Sequence, residues 1–237
     1  MTKLLCLCAA LVSLPAMAGP PFLTDDPETP DAGHYEVYAF SQGSRSQEGT
    51  SGEAGIDFNY GAAPDWQLTA VLPVAYDEQN HKVLGNIELA VKYRFLHQEK
   101  NGVDVGILPR VFLPSVSDRV GAQHAALLIP LWAQKDFEAW SVFGGGGCVL
   151  NHSGADRNYC LAGIALTRDI NSRLHVGGEI FHQTADVAGG KSSTALGGGI
   201  TYDLSANYHL LAYWGPGIQN RQEAVRSNWY GAALFTF

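Results

Sequence analysis

The chain has 237 residues, enough for one large β domain or two small ones, and its 27 glycines and 11% aromatic content lean towards β structure. Charged residues make up only 16%, against about 25% in an average globular protein. A net charge of −8 argues against a nucleic-acid partner, which would need a basic stripe.

Residues 1–18 read as a signal peptide. Lys3 supplies a short positive region, Leu4 to Leu14 an apolar stretch, and Ala16-Met17-Ala18 a small-x-small cleavage site. The mature chain is expected to start at Gly19. Cys6 and Cys8 leave with the signal, and neither lies at the junction where a lipid anchor would be attached. Beyond this point no apolar run approaches the roughly 18 residues of a spanning helix. The longest is Ala125 to Ala133. The expectation is an exported chain with no transmembrane helix.

Gly19 to Gly33, GPPFLTDDPETPDAG, is too rich in Pro and Asp for a regular strand. Two readings stay open. The first, and the default for a terminal segment, is a flexible lead-in. The second is an acidic plug tucked into a barrel mouth, with Asp25 and Asp26 meeting basic residues of the lumen.

From His34 a pattern of strand and connection repeats to the end. Strands are expected at 34–43, 52–61, 66–76, 86–96, 103–114, 124–134, 139–149, 159–168, 173–184, 194–203, 207–217 and 228–237. These are twelve segments of 10 to 12 residues. A tilted strand crossing a bilayer needs about 9–11 residues, whereas strands of soluble proteins usually have about 5–6. Connections after odd-numbered strands (44–51, 77–85, 115–123, 150–158, 185–193, 218–227) are longer than those after even-numbered ones (62–65, 97–102, 135–138, 169–172, 204–206). Outer-membrane barrels sort long extracellular loops and short periplasmic turns in this way.

Within the strands the faces alternate. In the fourth, Ile87, Leu89, Val91, Tyr93 and Phe95 oppose Glu88, Ala90, Lys92 and Arg94; in the second, Ala54, Ile56, Phe58 and Tyr60 oppose Glu53, Gly55, Asp57 and Asn59. Isolated buried charges are too costly, so the polar faces must meet water or one another. In a transmembrane barrel they line the lumen. A soluble, lipocalin-like barrel would show the same alternation turned inside out. Strand length, loop parity, the signal peptide and the last strand favour the membrane. In Asn228-Trp-Tyr-Gly-Ala-Ala-Leu-Phe-Thr-Phe237, Trp229, Gly231, Ala233, Phe235 and Phe237 share one face. Such an aromatic end resembles the signal by which the barrel-assembly machinery would recognise Phe237.

The mature start GPPFLTDDPETPDAGHYEVY, the stretch GNIELAVKYRFL, the stretch IPLWAQKDFEAWSVFGGGG and the aromatic end together resemble a Gram-negative group of outer-membrane transporters related to the meta-pathway phenol-degradation family. The resemblance covers nearly the whole mature chain. It implies an outer-membrane barrel associated with the breakdown of aromatic compounds. It brings no catalytic or binding residues to carry over.

The expected architecture is therefore a single all-β, twelve-stranded antiparallel transmembrane barrel over 34–237, in the bacterial outer membrane, with its amino terminus in the periplasm. Its expected job is passive passage of small, hydrophobic or aromatic molecules, with outer-membrane lipid around it, an unidentified solute within it and no cofactor. Glu36, Glu53, Asp57, Glu88, Lys92, Arg94, Arg110 and Glu179 are the candidate lumen residues, acting as selectivity groups or simply pairing across the interior. Cys148 and Cys160 flank one loop and are expected to form a disulfide, as suits an oxidising compartment. No Cys or His spacing suggests a metal. The glycine runs 144–147 and 197–199 are followed by no helical period, so they read as places where the wall bends or another segment approaches, not as phosphate loops. Two other roles are weighed. One is a structural or adhesive barrel without transport. The other is a lipid hydrolase built from Ser117, His124, His152 and Ser153, which has no supporting motif.

Overall fold

A computed structural model describes residues 21–114, 124–151 and 157–237. The signal-peptide reading of 1–18, and Ser117, His152 and Ser153, lie outside the described residues. Fourteen strand segments form one sheet: β1 Tyr35–Arg45, β2 Thr50–Ala63, β3 Trp66–Tyr76, β4 Lys82–Leu84, β5 Ile87–Leu96, β6 Asp104–Ile107, β7 Arg110–Leu113, β8 Ala126–Phe137, β9 Trp140–Asn151, β10 Tyr159–Asn171, β11 Leu174–Gln183, β12 Ser193–Asp203, β13 Tyr208–Gln219 and β14 Ser227–Thr236. β4 and β5 both pair with β3, while β6 and β7 both pair with β5 and β8. The fourteen segments are thus twelve staves, two of them interrupted.

The interruptions leave the ladder intact. Gly85 N–H reaches Pro73 O at 2.8 Å across the first. Pro109 has no N–H to donate at the second, but Leu108 N–H meets Pro130 O at 3.2 Å and Val91 N–H meets Pro109 O at 3.1 Å. β1 pairs with β14 from Glu36 against Thr236 to Arg45 against Ser227, and Tyr35 and Phe237 exchange backbone hydrogen bonds beyond it. The sheet is a closed, antiparallel, twelve-stranded barrel. Closure removes the sheet edges that lipid could not hydrogen-bond.

The alternation decides which side chains meet lipid. Leu72, Leu131, Ile164 and Leu210 point outward and are exposed, as the apolar band of a membrane barrel requires. At the short-turn rim the outward aromatic rings pair, Trp66 with Tyr93 at 4.2 Å, Tyr35 with Tyr60 at 4.7 Å and Tyr208 with Phe235 at 5.5 Å. They form part of an interfacial girdle.

Loop parity holds with two departures. The connection 46–49 is a tight turn because β1 and β2 run on past their expected ends, and 97–103 contains a helical turn over Gln98–Asn101. At the two-residue turn 64–65, Asp65 takes a left-handed φ of 69°, a conformation Asp tolerates. Among the described residues no helix is long and apolar enough to cross a membrane.

Leu131 is 50% exposed in the middle of β8. Leu131→Arg should lower the unfolding free energy in lipid by about 2–4 kcal/mol, the cost of a cation at the bilayer midplane. Denaturant titration of the variant in vesicles measures it, and an unchanged free energy would mean that this face does not meet hydrocarbon.

Candidate functional site

The segment before β1 is not a loose lead-in. Gly33 N–H donates to Gly61 O at 2.7 Å at the short-turn rim, and from there residues 21–32 lie within the barrel. Asp31 O sits where a Cβ on Gly61 would go. Pro27 packs on Gly106 of β6, and Glu28 accepts a hydrogen bond from Gln134 Nε2 at 2.6 Å. Thr24 then reaches β10 and Phe22 reaches β11 and β12.

Glycines on the inner face make this docking possible. A Cβ on Gly163 would collide with the Thr24 side chain, and a Cβ on Gly177 or Gly199 would come within 2.8 and 2.9 Å of the Phe22 ring. That ring makes edge contacts with Phe143 at 5.9 Å and Tyr213 at 6.0 Å. Buried Glu179 accepts the backbone N–H groups of Leu23 at 3.1 Å and Thr24 at 2.9 Å. A Pro- and Asp-rich stretch cannot satisfy its own backbone, so a carboxylate on the wall does part of that work.

The two aspartates meet the basic residues of the wall. Asp25 accepts a hydrogen bond from Lys92 Nζ at 3.0 Å and pairs with Arg110, while Asp26 lies 3.8 Å from Lys92 Nζ. Arg110 also pairs with Glu88 at 3.2 Å. Although burial raises it, the Asp25 carboxyl is held below the usual carboxylate range by Lys92 and Arg110. Burial pushes Asp26 up to about 7, with Lys92 opposing the rise and Asp25 adding to it. The ammonium of Lys92 is almost fully buried, and such a charge persists only when paired.

On one side of this segment the lumen is filled by Leu108, Trp132, Phe143, Leu128 and Val149. On the other side is a cavity of about 650 Å3, bounded by the segment and by the inward faces of β1, β2, β3, β5 and β14. It extends from Asn207 and Phe237 at the short-turn rim to Gln42 and Glu53. From Tyr35 to Gln42 this is about 20 Å along the strand.

Six of the eight candidate lumen residues, Glu36, Glu53, Asp57, Glu88, Lys92 and Arg110, border the cavity. Glu179 lies inside the barrel but beneath the segment. Arg94 is nearer the rim, where it meets Asp65 at 3.1 Å and Asp104 at 3.9 Å. Sequence reading missed Glu28, Gln134 and the network in which His175 contacts Asp169 at 2.6 Å and Asp203 at 3.1 Å, with His209 on Asp203 at 2.6 Å. For Gln134, Asp169, His175, Asp203 and His209 the inward positions in the alternation were the available signal, whereas Glu28 lies outside any strand and gave none.

Cys148 and Cys160 are opposite each other across β9 and β10 and are bonded, with Cα atoms 3.9 Å apart. Both are exposed, on the outer face. Of the groups weighed for hydrolysis only His124 is described, and it is exposed.

No protein-family model matches the chain, and no curated protein matches its sequence. Among solved structures, the COG4313 outer membrane channel from Pseudomonas putida F1 aligns with a TM-score of 0.73 at 12% identity, covering 90% of this chain and 98% of that one. The fold is that of an outer-membrane β-barrel. More distant likenesses are the translocator domain of autotransporter NalP from Neisseria meningitidis (TM-score 0.46, 12% identity, 89% of this chain and 90% of that one) and the Pseudomonas putida toluene transporter TodX (TM-score 0.44, 10% identity, 89% and 91%).

Removing the ammonium of Lys92 leaves Asp26 without an ion-pair partner among the described residues and Asp25 with Arg110 alone, and breaking a buried pair typically costs about 3–5 kcal/mol. Lys92→Met should therefore release the 21–33 segment and speed cleavage after Glu28 by a glutamate-specific protease at least about tenfold. Equal cleavage rates in the variant and the unaltered barrel would show that the ion pairs do not hold the segment.

Proposed function

We propose that this barrel is an outer-membrane channel for the passive passage of small molecules, with residues 21–33 as a plug that narrows the lumen. The single observation that carries the reading is the cavity left between the segment and the β1–β3 wall. A barrel serving only as a scaffold could close its interior, as the β8–β9 side nearly does. The cavity instead extends along the strands and is bordered by both charged and aromatic side chains. Rings of charged groups at such a constriction set which solutes pass.

The Pseudomonas putida barrel that shares the fold is an outer membrane channel, and extending that role to this chain belongs to the proposal. The finer expectation, that hydrophobic or aromatic solutes pass, draws support from Tyr38, Phe40 and Tyr230 on the cavity wall. No observation favours the adhesive or hydrolytic role.

Planar-bilayer recording of the folded, heat-modifiable barrel tests the reading. Discrete current steps are expected, and deletion of residues 20–32 should enlarge each step severalfold by clearing the lumen. A folded barrel that passes no current with or without the segment would refute a channel role. Equal steps with and without it would refute the plug.

A further inference from the structure

The cavity has an unbalanced charge. Its charged lining comprises eight carboxylates and two permanent cations, Lys92 and Arg110. Both cations are already engaged, Lys92 by Asp25 and Asp26, Arg110 by Asp25 and Glu88. Among the described residues, Glu36, Asp57 and Glu53 have no ion-pair partner. Each has one neutral side-chain donor: Tyr38 OH to Glu36 at 3.2 Å, Asn59 Nδ2 to Asp57 at 2.9 Å and Gln42 Nε2 to Glu53 at 2.7 Å. These hydrogen bonds orient the carboxylates without neutralising them.

Their order along the wall is regular. Glu36 is opposite Asn59, Asp57 is opposite Tyr38 and Glu53 is opposite Gln42 in the β1–β2 ladder. The three carboxylates therefore climb from the short-turn rim towards the other end of the cavity. Aromatic faces lie between them. Tyr38 and Phe40 follow Glu36 on the inward face of β1, and Phe40 stacks on Tyr230 with ring centroids 6.4 Å apart. Carboxylates alternating with aromatic rings suit an ion that is both cationic and apolar.

A second observation points to a donor ligand. His209 borders the same cavity, is 5% exposed and turns Nδ1 to Asp203 at 2.6 Å. Its Nε2 is buried and has no hydrogen-bond partner among the described residues. With Nδ1–H donated to the Asp203 carboxylate, Nε2 is the unpartnered edge of the ring, and in the neutral tautomer that edge accepts. An acceptor beside carboxylates calls for N–H groups. A bare metal ion fits less well, because no three ligating side chains converge among the described residues.

We propose that the cavity binds a small organic ammonium ion, held by Glu36, Asp57 and Glu53 with its apolar part against Tyr38, Phe40 and Tyr230. The proposal rests on the lumen being the solute path and narrows that path to cationic solutes. The volume of about 650 Å3 falls within the roughly 300–1,000 Å3 usual for small-molecule pockets. Aromatic anions would face uncompensated carboxylates and be disfavoured.

Titration calorimetry of the full barrel, folded in detergent, with benzylammonium and separately with benzoate tests the binding claim without requiring conduction. Benzylammonium should bind and benzoate should not. Asp57→Asn and, independently, Glu53→Gln should each weaken benzylammonium binding by roughly tenfold, as loss of a charge-assisted hydrogen bond does. Their heat-modifiable migration reports whether they fold. Benzoate binding as tightly as benzylammonium, or no binding of either, would overturn the proposal, and that comparison needs no variant. Single-channel recording separates this result from the channel reading. A conducting barrel that ignores benzylammonium defeats the ammonium site alone, whereas benzylammonium binding to a barrel that never conducts defeats passage and leaves the site standing.

Discussion

In hydrocarbon every backbone N–H and C=O of a strand needs a partner inside the protein, and the β1–β14 seam is where this chain meets that demand. Once the sheet closes, the period of two leaves no choice about direction. Ile87, Leu89 and Val91 go to the outside, and Glu88, Ala90 and Lys92 go to the inside. The interior therefore receives charges that lipid would reject. Two permanent cations, Lys92 and Arg110, end up deep in that interior and require counter-charges. Glu88 supplies one to Arg110 from the neighbouring stave, and Asp25 supplies both cations from a segment that belongs to no strand.

The same closure explains the division of the lumen. On the β10–β12 side Gly163, Gly177 and Gly199 on the inner face leave room for Phe22 and Thr24 to lie against the wall. On the β1–β3 side Glu36, Asp57 and Asn59 keep the inner face polar, and beyond its contact with Gly61 at the rim the segment leaves that face open. The cavity is what the segment leaves over. The segment docks by packing on one wall and by ion pairs near its middle, outside the ladder of the staves.

The barrel was legible in the sequence because each strand carries its own evidence. From Glu88 to Phe95 only Ala90 departs from the polar–apolar alternation, and 10 to 12 residues is long for a soluble strand. The lumen charges followed from the same alternation. The position of residues 21–33 was not legible, since its causes are far away in the chain. Lys92 is 67 residues from Asp25, and Glu179 is 155 residues from Thr24. Composition alone could only say that the stretch is no strand. The filled half of the lumen was hidden for another reason. From Ala126 to Ala133 both faces of β8 are apolar, because the inner one packs against Trp132's neighbours and the outer one meets lipid, so no alternation marks the inside. In the glycine run 197–199, read as a bend or a place of close approach, two rings approach: Tyr213 from the neighbouring strand at Gly197, and Phe22 from the other end of the chain at Gly199.

The central claim is that the segment before β1 enters the barrel, with Phe22 and Thr24 against β10, β11 and β12. A Cβ built on Gly163 would lie 3.2 Å from the Thr24 Cβ, close to the spacing of a disulfide, roughly 3.5–4.5 Å. The most direct measurement is non-reducing peptide mapping of the Thr24→Cys, Gly163→Cys double variant after oxidative folding. The account predicts a peptide joining positions 24 and 163, with the Cys148–Cys160 pair intact. Two free thiols at 24 and 163, both open to a bulky water-soluble maleimide in the folded barrel, would contradict it.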